Sequence, residues 1–160
     1  MVTVEHDVHI GRAPIDVFAY ITRVETYAEW QRDAGVERVT RTSDGPITVG
    51  STFRMERRAR SGLAAIDAEV TAFELGRRFD FHTVDNDGFV GDFSTTLTGA
   101  DGGTDLRWSV RMEPPSLRYR LLQPLIAREI RKSASLDFPK LKAALEAEPD
   151  TDLGSGPVGW

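Results

Sequence analysis

Few residues of this sequence combine a reactive group with a place on an apolar strand face. His6 is one. Val2, Val4, Val8 and Ile10 share one parity of an alternating stretch, and His6 interrupts that set. An imidazole there could serve as a general acid or base near neutral pH, or be a satisfied histidine at the rim of a core. Arg57 shares its parity with Phe53, Met55 and Ala59. A guanidinium on that face either holds a carboxylate or phenolate of a ligand, or snorkels into water beside Arg58 and Arg60. Tyr119 is the third group able to assist a proton transfer. His9 and His82 fall on the polar parity, as do Asp67, Glu69, Asp80 and Asp92, which with Arg107 and Arg111 suit cross-strand charge pairs on a wet face.

Other chemistries lack their residues. There is no cysteine, so disulfides and thiolate sites are excluded. No paired helical histidines, no glycine-rich phosphate loop and no Gly-x-Ser-x-Gly elbow occur, so neither a metal nor a cofactor is expected. The net charge of -5 disfavours nucleic acid, which selects a basic surface. No apolar run is long enough to span a membrane, and Met1 leads straight into strand-like alternation without a signal peptide. The expectation is a cytoplasmic protein, monomer or homodimer, without membrane insertion.

The elements that must position these groups follow from periodicity. After the first strand, Pro14 suits the start of a helix on which Ile15, Phe18, Ala19 and Thr22 share a side, and a second short helical turn covers Tyr27 to Gln31. From Gly35 the two-residue period predicts six strands broken by turn signals such as Asp44-Gly45-Pro46, Ser61-Gly62 and Asp85-Asn86-Asp87-Gly88. Turns every eight to twelve residues make the sheet antiparallel, with one apolar face. On that face the small residues Ala68, Ala72, Gly91 and Thr95 point to a void. Pro114-Pro115 ends the last strand, and Gln123-Pro124 separates a short helical piece, Leu117 to Leu122, from a long helix. Leu122, Ile126, Ile130, Ala134, Phe138, Leu141 and Leu145 recur every three or four residues. From Pro124 to Glu146 that helix would run roughly 35 Å, with a kink expected near Ser135 to Phe138 because of Pro139. Its basic start, Arg118 to Lys132, reads most simply as a solvated face.

This order of elements resembles the START-like superfamily of helix-grip (Bet v 1-like) proteins, and within it the polyketide cyclase/dehydrase and lipid-transport group, SRPBCC. The resemblance rests on Ala13-Pro14-Ile15-Asp16-Val17-Phe18, Tyr27-Ala28-Glu29-Trp30, Val49-Gly50-Ser51-Thr52-Phe53 and Leu141-Lys142. Pro139 departs from the family's pattern. The resemblance implies an α+β domain over residues 1–148, with a seven-stranded curved antiparallel sheet around the C-terminal helix and two short helices after the first strand. A disordered tail is expected over 149–160. It also implies a cavity for a small hydrophobic or aromatic ligand (lipid, polyketide or quinone-like). Expected to line it are Trp30, Phe53, Met55, Ile66, Ala68, Phe79, Phe81, Phe89, Phe93, Thr95, Trp108, Ile126, Ile130, Ala134 and Phe138. Two alternatives stay open: a cyclase- or dehydratase-type enzyme using His6, Arg57 or Tyr119 without metal or cofactor, and an interaction module acting on a larger machine.

Overall fold

A computed structural model describes residues 1–59 and 62–147. The expected tail at 149–160, the end of the expected domain at 148, and Ser61 of one expected turn lie outside the described residues. Strands β1 (Val2–Ile10), β2 (Val36–Arg41), β3 (Thr52–Ala59), β4 (Gly62–Glu74), β5 (Arg78–Asp85), β6 (Val90–Ala100) and β7 (Gly103–Glu113) form one antiparallel sheet in the order β1-β7-β6-β5-β4-β3-β2. Helices α1 (Pro14–Ile21) and α2 (Tyr27–Trp30) follow β1, and α3 (Leu117–Leu121) and α4 (Gln123–Ala147) follow β7. Every strand neighbour in sequence is a neighbour in the sheet except β1, which closes against β7. This is the seven-stranded helix-grip arrangement that the alternation demands, because α4 alone is large enough to cover the apolar face.

The break before Pro124 falls where the chain chemistry puts it. Leu122 lies between α3 and α4, and Pro124 sits in the first turn of α4, where its missing N–H is no loss. The helix continues unbroken through Pro139. Leu122 does not join the inward stripe; it stands at the break and is 43% exposed.

One parity assignment is overturned. Between Val70 and Ala72 the register of β4 against β5 shifts by a residue, a bulge at Thr71. Beyond it Phe73 pairs with Phe79 and Ala72 with Asp80, so Phe73 takes the inward side and Ala72 the outer one. The Phe73 ring then meets Phe18 edge-on at 5.1 Å. Gly91 does not border a void either: a Cβ there would lie 2.9 Å from Thr83 Oγ1.

The wet face carries the charge pairs Arg54–Asp67 and Arg107–Asp7 and the hydrogen-bonded pair His82–Asp92, with closest approaches of 2.9, 2.9 and 2.8 Å. The inner face carries two apolar clusters. The larger gathers Ile10, Phe18, Phe53, Phe79, Phe138, Leu141 and Leu145. The smaller has only Val2, Val4, Val110 and Ala127 fully buried, and Phe93 and Trp108 pack against both.

Candidate functional site

The layer between the inner face of the sheet and α4 is filled with rings, because phenylalanine and tryptophan occupy alternate positions on β5, β6 and β7. Trp30 lies 5.1 Å from Phe138 on α4, and Phe138 lies 5.4 Å from Trp108. From there the run continues through Phe93 to Phe81, stacked at 5.0 Å, and on to Phe53 at 5.2 Å. Trp30, Phe53, Met55, Ala68, Phe79, Phe81, Ala134 and Phe138 are buried in this packing. Ile66, Phe89, Phe93, Thr95, Trp108, Ile126 and Ile130 are only half-buried. The middle of the layer between sheet and α4 is therefore filled by side chains, and its half-buried residues lie toward β4, β6 and the first half of α4. There Phe89, just before β6, meets Tyr119 on α3 at 4.9 Å.

The three candidate reactive groups are not brought together. His6 is half-buried and stacks on Phe138, ring centroids 4.9 Å apart and planes within 20°. Tyr119 stands at the α3 end against Phe89. Arg57 lies toward the β2–β3 edge of the sheet, where its Nε donates to the Ala34 carbonyl at 2.7 Å. Among the described residues no hydrogen bond or ion pair joins any two of them. Water reaches the Arg57 guanidinium, yet the surrounding protein strips part of its hydration and pulls its pKa down, while the Asp85 carboxylate opposes that shift.

Sequence reasoning missed the device that holds Arg57's partner in place. Asp137 on α4 is 2% exposed. Its two carboxylate oxygens accept the backbone N–H groups of Asp33 and Ala34, each at 2.9 Å, and Lys140 Nζ stands 3.4 Å away. Burial still raises its pKa, against those three opposing contacts. The loop it holds turns at Gly35, whose φ of 88° suits glycine and whose missing Cβ clears the Arg58 carbonyl. The periodic signal for Asp137 existed: with Ile130, Ala134 and Leu141 it continues a three- and four-residue spacing on the inner side of α4.

Arg12 was missed too. It is 4% exposed, and its Nη1 donates to the Leu145 carbonyl at 2.7 Å, near the last turn of α4, while Nη2 lies 3.3 Å from Asp16. Among the described residues no cluster of three or more His, Cys, Asp or Glu side chains is placed to hold a metal.

Comparison with known proteins agrees with this architecture. A protein of Chromobacterium violaceum superposes with a TM-score of 0.71 at 16% identity, over 92% of this chain and 100% of that one. One from Thermus thermophilus gives 0.72 at 14%, over 91% and 97%. Ara h 8.0201 gives 0.64 at 14%, over 91% and 98%. Identities this low speak for the fold alone. No curated protein matches the chain. A family pattern does, over nearly all of the described length: across residues 1–146 the chain belongs to the polyketide cyclase/dehydrase and lipid transport family.

Proposed function

We propose that the protein binds a small apolar or aromatic molecule, of lipid, polyketide or quinone type, in the groove between the sheet and α4, admitted from the α3 end. The observation that carries this reading is the incomplete burial of apolar residues on the inner side of the sheet and α4: Ile66, Phe93, Trp108, Ile126 and Ile130 are only half-buried. Covering that surface with a ligand is favourable by about 25 cal/mol per Å² removed from water. Rings already line the path, and an aromatic guest would extend the offset and edge-on contacts they make with one another. The family's description includes lipid transport, which agrees with a carrier.

Binding is favoured over catalysis because acid–base chemistry needs its groups within hydrogen-bond reach of one reacting centre. His6, Arg57 and Tyr119 stand on three separate elements without a mutual contact among the described residues. The test is titration with oleate and with 2-naphthol, read by native mass spectrometry and by tryptophan fluorescence. The expected result is a saturable one-to-one complex with at least one of them, weakened by Ile126→Trp, which fills the accessible part of the groove. Failure of both probes to saturate, with the protein folded, overturns the reading.

A further inference from the structure

α3 is anomalous for a soluble surface: none of its residues is buried. Leu117 is 72% exposed, Leu121 78%, Leu122 43% and Leu125 49%. Four large apolar side chains thus stand in water within nine residues, at one end of the sheet, where a monomer would ordinarily cover them or use them. The charges around them are equally one-sided. Between 117 and 132 the bases are Arg118, Arg120, Arg128, Arg131 and Lys132 and the only acid is Glu129, in a chain whose net charge is -5. Several arginines on the sheet are paired with acids, as Arg54, Arg78 and Arg107 are with Asp67, Asp80 and Asp7. Among the described residues none of the five bases around α3 makes a side-chain hydrogen bond or an ion pair.

We propose that α3 and the first turn of α4 form a lip that docks on an anionic lipid surface, its leucines entering the headgroup boundary and its arginines meeting lipid phosphates. Leucine beside unpaired arginine is the composition of an interfacial segment. A second copy of the chain is a poorer occupant, since a two-fold contact through the lip would set Arg118 and Arg120 against the same two arginines of the copy. The lip is anchored from behind by Tyr119 on Phe89, so docking presents the accessible end of the groove to the lipid. No helix among the described residues is long and apolar enough to cross a membrane, so the contact is peripheral.

The inference rests on exposed side chains and not on what fills the groove. It is tested by co-sedimenting the full chain with phosphatidylcholine vesicles, with and without phosphatidylglycerol, at low and high salt. The expected result is pelleting only with the anionic vesicles, lost at high salt. Leu121→Glu, and separately the double change Arg118→Glu with Arg120→Glu, should each weaken it about tenfold or more, without moving the unfolding midpoint. No pelleting with anionic vesicles overturns the proposal, as does equal pelleting by wild type and Leu121→Glu. A concentration-dependent dimer that Leu121→Glu dissolves also overturns it and assigns the face to self-association. A protein that pellets but takes up neither oleate nor 2-naphthol keeps this inference and loses the carrier reading; the reverse outcome separates them the other way.

Discussion

At the α1 end of the groove, Leu141, Leu145 and Ile10 are fully excluded from water, and the last turns of α4 are tied down by polar contacts. Arg12 reaches the Leu145 carbonyl, the Gly11 N–H donates to Glu146 and Lys142 Nζ to the His9 carbonyl, each at 2.7 Å. Gly103 allows the closest approach, for a Cβ there would sit 2.4 Å from the Ile10 carbonyl oxygen. At the α3 end the same helix lies over a small cluster. Ile126 and Ile130 are half-buried, and a contact between the terminal amine of Met1 and Gln123, at 2.7 Å, links its first turn to β1. The difference teaches that one helix does two jobs by position. Its C-terminal half closes the core, and its N-terminal half leaves apolar surface for something else to cover.

The largest test of that contrast is truncation. Leu141→Ala should cost about 2–5 kcal/mol in urea unfolding at unchanged m, and Ile130→Ala about 1 kcal/mol, because only the first leaves a sealed cavity. Equal losses would erase the distinction. Next, Asp137→Ala should cost about 2–3 kcal/mol, since it strands two backbone N–H groups under α4. Amide hydrogen exchange at Asp33 and Ala34 should then speed up well before global unfolding. A third expectation concerns pH. Burial raises the Asp137 pKa in the folded state, so the native protein holds that proton more tightly than the unfolded chain. That contribution is full below the ordinary aspartate value and is lost as pH rises through the raised one. The stability difference between wild type and Asp137→Asn should therefore fall as pH rises through that window. The smallest effect belongs to Asp7, whose pKa is lowered by Arg107 on the outer face. Its contribution is present above the ordinary aspartate value and fades as pH falls through the lowered one. Being exposed and screened, it should vanish in high salt.

The number of strands, the helix break at Leu122 and the aromatic positions were legible because each rests on a local rule: a two-residue period, the restriction before proline, and parity; no local rule pairs β1 with β7. The functional surface was less so. Periodicity reports which face a residue takes, not whether that face is covered, so Leu122 and Ile126 read alike although one is at the break and the other faces the groove. Asp137 lay on the inner spacing of α4 but showed no reason to be there, and Arg12 gave no sign at all, because the partners that justify burying them are distant in the chain, the backbone at 33–34 and at 145. The bulge at Thr71 carries no turn residue to announce it, so parity ran on through it and set Ala72 inside.

That single extra residue gives the fold a lever that point substitution does not reach. Removing the codon for Thr71 would restore simple alternation in β4 with Val70 inside, Ala72 outside and Phe73 inside, so the Phe73 ring stays beside Phe18 and Phe79. A deletion of three nucleotides would thus remove the extra twist of β4 and keep its inward ring, whereas a change that straightened the strand without losing a residue would set Ala72 inside in place of Phe73.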